Sequence, residues 1–185
     1  MPNVYRKRRR IYNEPGHAHY LTFSCAHRWP LLSKDCSRQW FIEAIEAALL
    51  RHEYDLYAYV IMPEHAHLLV KPRFDHYDLS DFLYDVKRPV SCKAKAHLIE
   101  TGNSVWLERL TVRRGSGKAF RFWLPGGGFD RNVFRAKSLT EVAEYIDNNP
   151  VRRGLAAEPA DWPWSSARAH TGREPGPLAV DPIPF

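Results

Sequence analysis

The chain has 185 residues, 44% of them hydrophobic and 13% aromatic, enough apolar side chain to close one core unaided. Its three cysteines, Cys25, Cys36 and Cys92, are odd in number and form no C-x-x-C pair, which argues against a zinc ribbon or a disulfide framework and fits a reducing cytoplasm. The formal net charge is +6, part of it concentrated in Arg6-Lys7-Arg8-Arg9-Arg10, and no run approaches the ~18 apolar residues of a membrane span, so nucleic acid rather than a membrane is the expected partner.

In chain order, the basic arm (1–16) leads into His17-Ala18-His19-Tyr20-Leu21-Thr22-Phe23-Ser24-Cys25, whose alternating, aromatic and β-branched content predicts a first strand. Ser33 opens a helix over 34–51, with Phe41, Ile45, Ala48 and Leu49 on one stripe. Tyr54–Met62 and His65–Lys71 predict two strands joined at Pro63-Glu64 as a hairpin. Strand side chains alternate faces, so His65 and His67, separated by one alanine, point the same way and are close enough to share one metal ion; the alternative is two polar residues at a strand end with no ligand. His17 and His19 have the same spacing and stand as a rival pair.

Asp78 is placed to cap a further helix carrying Leu79, Phe82, Leu83, Val86 and Val90, with a kink or break expected at Pro89. Lys87 and Arg88 make that helix basic. Residues 101–118 read as an irregular excursion and Phe120–Leu124 as another strand, followed by three glycines that allow close backbone approach to a ligand or a sharp turn. Ser138 and Glu141 have capping-box spacing before a helix with Leu139, Val142, Ala143 and Ile146 on one face. At about 100° per residue, Tyr145 and Asn149 lie close together on the shoulder of that face, a half-exposed phenol beside an amide able to ligate metal. The helix is expected to end near Asn149, before Pro150. Trp162 and Trp164 offer surfaces for stacking bases, and 171–185 read as a weakly ordered Pro/Gly-rich tail.

Four ordered blocks carry a resemblance: Val60–Val70 around His65 and His67, Phe122–Asn132, Tyr145–Leu155, and Asp161–Arg168. Over about 17–170 the chain resembles the IS200-like single-tyrosine transposases of the HUH superfamily, specifically the REP-associated tyrosine transposases. The resemblance implies an α+β fold, an antiparallel sheet of ferredoxin-like character with helices packed on it. It implies Tyr145 as nucleophile, with His65, His67 and Asn149 holding Mg²⁺ or Mn²⁺. Arg6, Lys7, Arg8, Arg9, Arg10, Lys87, Arg88, Arg131, Arg152 and Arg153 are then the expected DNA contacts.

The expected activity is nicking and strand transfer on hairpin-bearing single-stranded DNA through a 5′-phosphotyrosine, by a monomer or homodimer in the cytoplasm, associated with the nucleoid. Two rivals make different demands: a non-catalytic DNA-binding regulator leaves Tyr145 idle, and a metal hydrolase acting through water survives Tyr145→Phe.

Overall fold

The computed structural model describes residues 13–184, so the arm at Arg6–Arg10 lies outside the described residues. Its first half follows the expected order. Strand β1 (Ala18–Ser24) is followed by helix α1 (Asp35–His52), strands β2 (Tyr54–Ile61) and β3 (His65–Pro72), and helix α2 (Leu79–Glu100). Asp78 caps α2, its carboxylate accepting from the Ser80 backbone N–H at 2.7 Å. The second half contains α3 (Ser104–Arg109), the hairpin β4 (Thr111–Arg114) and β5 (Gly117–Phe120), β6 (Phe129–Val133), α4 (Ala136–Asp147), and the one-turn helices α5 (Asn149–Arg152) and α6 (Ala167–His170).

The main sheet has the order β2-β3-β1-β6, antiparallel at every pairing. This is the ferredoxin-like arrangement, in which the first and third strands are central and the second and last are edges. Strand alternation divides the core in two. Leu21, Phe23, Ala66, Leu68 and Val70 face α1 and α2, whereas Tyr20, Leu69 and Val133 face α4 with its Leu139, Val142 and Ile146.

Five expectations are corrected here. The fourth strand of the sheet is Phe129–Val133, not Phe120–Leu124; Phe122 and Trp123 are apolar because they are buried in the α1/α2 core. The 101–118 stretch holds α3 and most of a hairpin. Helix α2 runs through Pro89 unbroken, since Pro89 is on the exposed side, where water can serve the carbonyl that loses its donor. Helix α4 begins at Ala136, so Ser138 already lies inside the first turn and makes no cap. The tail is packed: Leu178 is buried, and Asp181 and Leu56 exchange two bonds, Asp181 N–H to the Leu56 carbonyl at 2.7 Å and Leu56 N–H to the Asp181 carboxylate at 2.8 Å. Ile61 N–H donates to Trp164 O and Ser166 N–H to Tyr59 O, so the tail and the 164–166 segment together cover the β2 edge.

The glycine run makes its close approach to β1 rather than to a ligand. Gly128 has φ +89°, and a Cβ there would lie 2.2 Å from the Thr22 carbonyl oxygen. Only glycine lets the chain enter β6 in register, with Phe129 opposite Thr22.

Candidate active site

His65 and His67 sit at the start of β3, opposite Ser24 and Thr22 of β1, on the α4 face. Both are 5% exposed, and their Nε2 atoms converge to 3.1 Å. Each outer nitrogen is held. His65 Nδ1 lies 3.1 Å from Glu64 Oε1, and His67 Nδ1 lies 2.8 Å from Thr22 Oγ1 and 3.0 Å from the Tyr20 hydroxyl. Glu64 is fixed in turn by Arg153 at 2.9 Å. The turn that carries Glu64 is tied to the exit of β1, where Cys25 N–H donates to Glu64 O and Leu32 N–H to Pro63 O.

Burial pushes both imidazoles down, His67 to about 3 with His65 adding to the effect, and His65 despite the opposing Glu64 carboxylate. Both rings are therefore neutral at neutral pH and each keeps one nitrogen lone pair. Burial raises the Glu64 carboxyl, but His65 and Arg153 outweigh it and leave it below the usual range. Burial likewise raises the Tyr20 hydroxyl, against the hydrogen bond from Thr22 and with help from Tyr145.

Tyr145 reaches this site from α4. It is 41% exposed, its ring stands perpendicular to that of His67 with centroids 6.1 Å apart, and the Arg152 guanidinium lies over the ring, 4.7 Å from its centroid. Asn149 is buried one turn on, its Nδ2 donating to the Tyr145 carbonyl at 2.9 Å, so its oxygen is the atom left to ligate. The helix end is clamped by Asp147, whose carboxylate accepts from Ser166 Oγ and His170 Nδ1, both at 2.6 Å. His170 Nε2 also donates to Tyr57 O at 3.0 Å, so both its nitrogens carry protons and its pKa is raised, chiefly by the Asp147 bond.

These residues surround a cleft of ≈ 350 Å³ lined by Thr22, Ser24, Arg28, His65, His67, Tyr145, Asn149, Arg152 and Arg153. The fold thus brings Tyr145, both histidines and Asn149 to one place. Two nitrogens each about 2.1 Å from one ion and at right angles around it are about 3 Å apart. The Nε2 spacing fits that, and the outer hydrogen bonds are those expected of ligating histidines. Among the described residues no group of three His, Cys, Asp or Glu side chains is arranged to hold a metal.

The rival pair is elsewhere. His19 projects to the opposite face, where it bonds Asp130 at 2.9 Å and the Tyr77 hydroxyl at 2.8 Å; His17 stacks on Phe134. The expected DNA contacts also divide. Arg131 and Arg152 flank the candidate site, Arg153 is paired with Glu64, and Lys87 and Arg88 line a separate groove along α2 on the other face of the sheet. Trp162 and Trp164 do not present open rings: both are partly buried against the cores, Trp162 donates to Ile61 O, and Arg38 covers both.

Sequence reasoning missed Thr22, Tyr20, Glu64 and Arg28. The register of β1 on β3 brings in the first two. Arg28 follows His27 in a turn where both have left-handed backbones, φ 53° and 56°, uncommon for residues other than glycine. Its guanidinium has no hydrogen-bond or ion-pair partner among the described residues, and it lines the cleft. No signal in the sequence marks a strained turn of this kind.

Among the described residues no helix is long and apolar enough to cross a membrane. No protein-family model and no curated protein matches the chain. Among solved structures it is similar to a REP-associated tyrosine transposase bound to a REP hairpin, at 21% identity and TM-score 0.66, covering 96% of this chain and 94% of that one. A protein from Deinococcus radiodurans provisionally assigned as a transposase is a more distant match, at 16% identity and TM-score 0.43, covering 77% of this chain and 96% of that one. The chain has the α+β fold of the REP-associated tyrosine transposase, as its motif blocks imply.

Proposed function

We propose that this protein is a transposase of the single-tyrosine kind, a metal-dependent endonuclease and strand transferase acting on single-stranded DNA that carries hairpins. The observation that supports this reading is the convergence of the His65 and His67 Nε2 atoms at 3.1 Å beside a half-exposed Tyr145 at the end of a clamped helix. Hairpin DNA is suggested by the REP hairpin bound to the protein of like fold.

His65, His67 and the Asn149 oxygen would hold the divalent ion, Mg²⁺ or Mn²⁺. When bound, the ion supplies Lewis-acid polarisation of the scissile phosphate and neutralises charge in the transition state. The chain does the rest. Glu64 and Thr22 orient the two imidazoles. Arg28 and Arg152 add positive charge where the phosphate oxygens gain negative charge. The Tyr145 hydroxyl gives up its proton to solvent as its oxygen attacks phosphorus, forming the O–P bond of a 5′-phosphotyrosine while the P–O3′ bond breaks, and the departing 3′ oxygen takes up a proton from solvent. Attack by a DNA 3′-OH on that ester rejoins strands and returns the tyrosine, with one phosphodiester exchanged for another and no nucleotide cofactor consumed.

A hairpin-bearing single strand incubated with the protein and Mg²⁺ or Mn²⁺ is expected to give a denaturation-resistant adduct, and Tyr145→Phe none. Cleavage that persists in Tyr145→Phe would favour a hydrolase acting through water. Binding without cleavage in the wild type under any of these ions would favour a non-catalytic regulator.

A further inference from the structure

The face of the sheet that carries the candidate site is only half covered. Helix α4 lies chiefly over β2 and β3, so that β1 and the edge strand β6 form an open floor beside it. Alternation along β6 sends Phe129, Arg131 and Val133 to this side, opposite Thr22, Tyr20 and Ala18. Val133 is buried beneath α4, whereas Phe129 keeps 47% of its surface exposed. The result is a groove of ≈ 830 Å³ that shares Thr22, His67 and Tyr145 with the cleft and extends past the end of β6 to Phe134 and Arg135.

The composition of this groove is specific. Phe134 is 62% exposed and held in place by His17, stacked on it at 5.0 Å and 23°. Phe129 is propped edge-on against Tyr20. Between and beyond these rings lie two guanidiniums, Arg131 at 5.5 Å from the Tyr20 ring and Arg135 at 5.6 Å from the Phe134 ring. The one acid of the lining, Glu141, has Lys137 at 3.9 Å on its own helix. Exposed, pre-positioned aromatics on an open sheet, interleaved with cations, suit unpaired bases and their phosphates; a duplex hides its bases and would leave the rings unused.

We infer that the groove along β6 is a binding track for unpaired DNA flanking the cleavage point, with bases stacking on Phe129 and Phe134 and phosphates meeting Arg131 and Arg135. The inference rests on the proposed role of Tyr145 for its place in the reaction, but its test needs no chemistry. Affinity for a labelled oligothymidylate, which forms no hairpin, is measured by fluorescence anisotropy in excess EDTA. The Phe129→Ala, Phe134→Ala double variant is expected to weaken binding about tenfold or more with little change in salt slope. Arg131→Ala with Arg135→Ala is expected to make the log-log salt slope shallower by about 1.4. Circular dichroism and thermal melting check that the variants are folded, and Phe134→Trp, which keeps a ring, is expected to retain affinity. Unchanged affinity in the folded aromatic variant overturns the inference, as does a loss confined to Lys87→Ala, Arg88→Ala on the α2 face. Failure of the wild type to form an adduct would sink the proposed chemistry and leave this binding result standing.

Discussion

The two faces of the sheet receive histidines from neighbouring strands and use them differently. On the α1/α2 side, His19 is fully enclosed, with Asp130 on one nitrogen and Tyr77 on the other, and it joins β1, β6 and the approach to α2. On the α4 side, His65 and His67 spend only their outer nitrogens on the protein and turn the inner pair toward each other at the wall of an open cleft. A buried imidazole with both nitrogens matched to protein partners stabilises the fold. The inner nitrogens of His65 and His67 meet only each other at the cleft wall, an arrangement that suits a ligand better than it ties strands together.

This contrast can be broken by substitution. The largest effect is expected at the inner pair: His65→Ala with His67→Ala should lower cleavage of single-stranded DNA by roughly 10³-fold or more, the scale of losing a transition-state charge stabiliser, in protein that circular dichroism shows to be folded. Excess EDTA should do the same to the wild type. His19→Ala should show the converse, a loss of about 2 kcal/mol in urea unfolding because Asp130 and Tyr77 lose a partner, with cleavage per folded molecule unchanged. If the two substitutions gave the same pattern, the distinction between the faces would fail.

Gly128→Ala should cost about 3 kcal/mol or more in the same unfolding assay, because both the positive φ and the Thr22 carbonyl oppose a Cβ. Arg28→Ala should lower cleavage about 10²-fold while moving strand affinity less, and Arg28→Lys should recover part of the rate.

The smallest effect concerns the clamp on α4. The His170 pKa is raised by Asp147, so its stabilisation is fully present below the ordinary histidine pKa and is lost as pH rises through the raised value. His170→Gln should remove that pH dependence and cost about 1 kcal/mol on its acid side. Stability of the wild type that rises across the same range would contradict the assigned proton count.

The reach of the sequence tracks how locally each feature is determined. The facing of His65 and His67 follows from strand alternation alone, and the neighbourhood of Tyr145 and Asn149 from one helical turn. The cap at Asp78 is equally local. The fourth strand was not legible, because β6 is an edge with one open side: Phe129-Asp130-Arg131-Asn132 has the composition of a loop, while the apolar run Phe120–Leu124 signalled burial rather than pairing. The order of the tail depends on bonds to the β2 edge more than a hundred residues earlier, such as Asp181 to Leu56, which no local pattern encodes. Arg28 was hidden for the same reason: a left-handed turn and a register placed it, not its neighbours in sequence.

The central claim is that Tyr145 is the residue joined to DNA, and the structure offers a competitor against which to test it. Tyr20 lies within the same cluster, its hydroxyl 3.0 Å from His67 Nδ1 and its ring 6.1 Å from that of Tyr145. Burial raises the Tyr20 pKa and its hydroxyl is engaged with His67, so it is expected to support the site and not to attack. The direct measurement is to form the adduct on a hairpin-bearing single strand, digest both DNA and protein, and locate the nucleotide by mass spectrometry. A phosphonucleotide on the peptide at Tyr145 is the predicted result. A phosphonucleotide on Tyr20, or cleavage with no modified tyrosine at all, would contradict it.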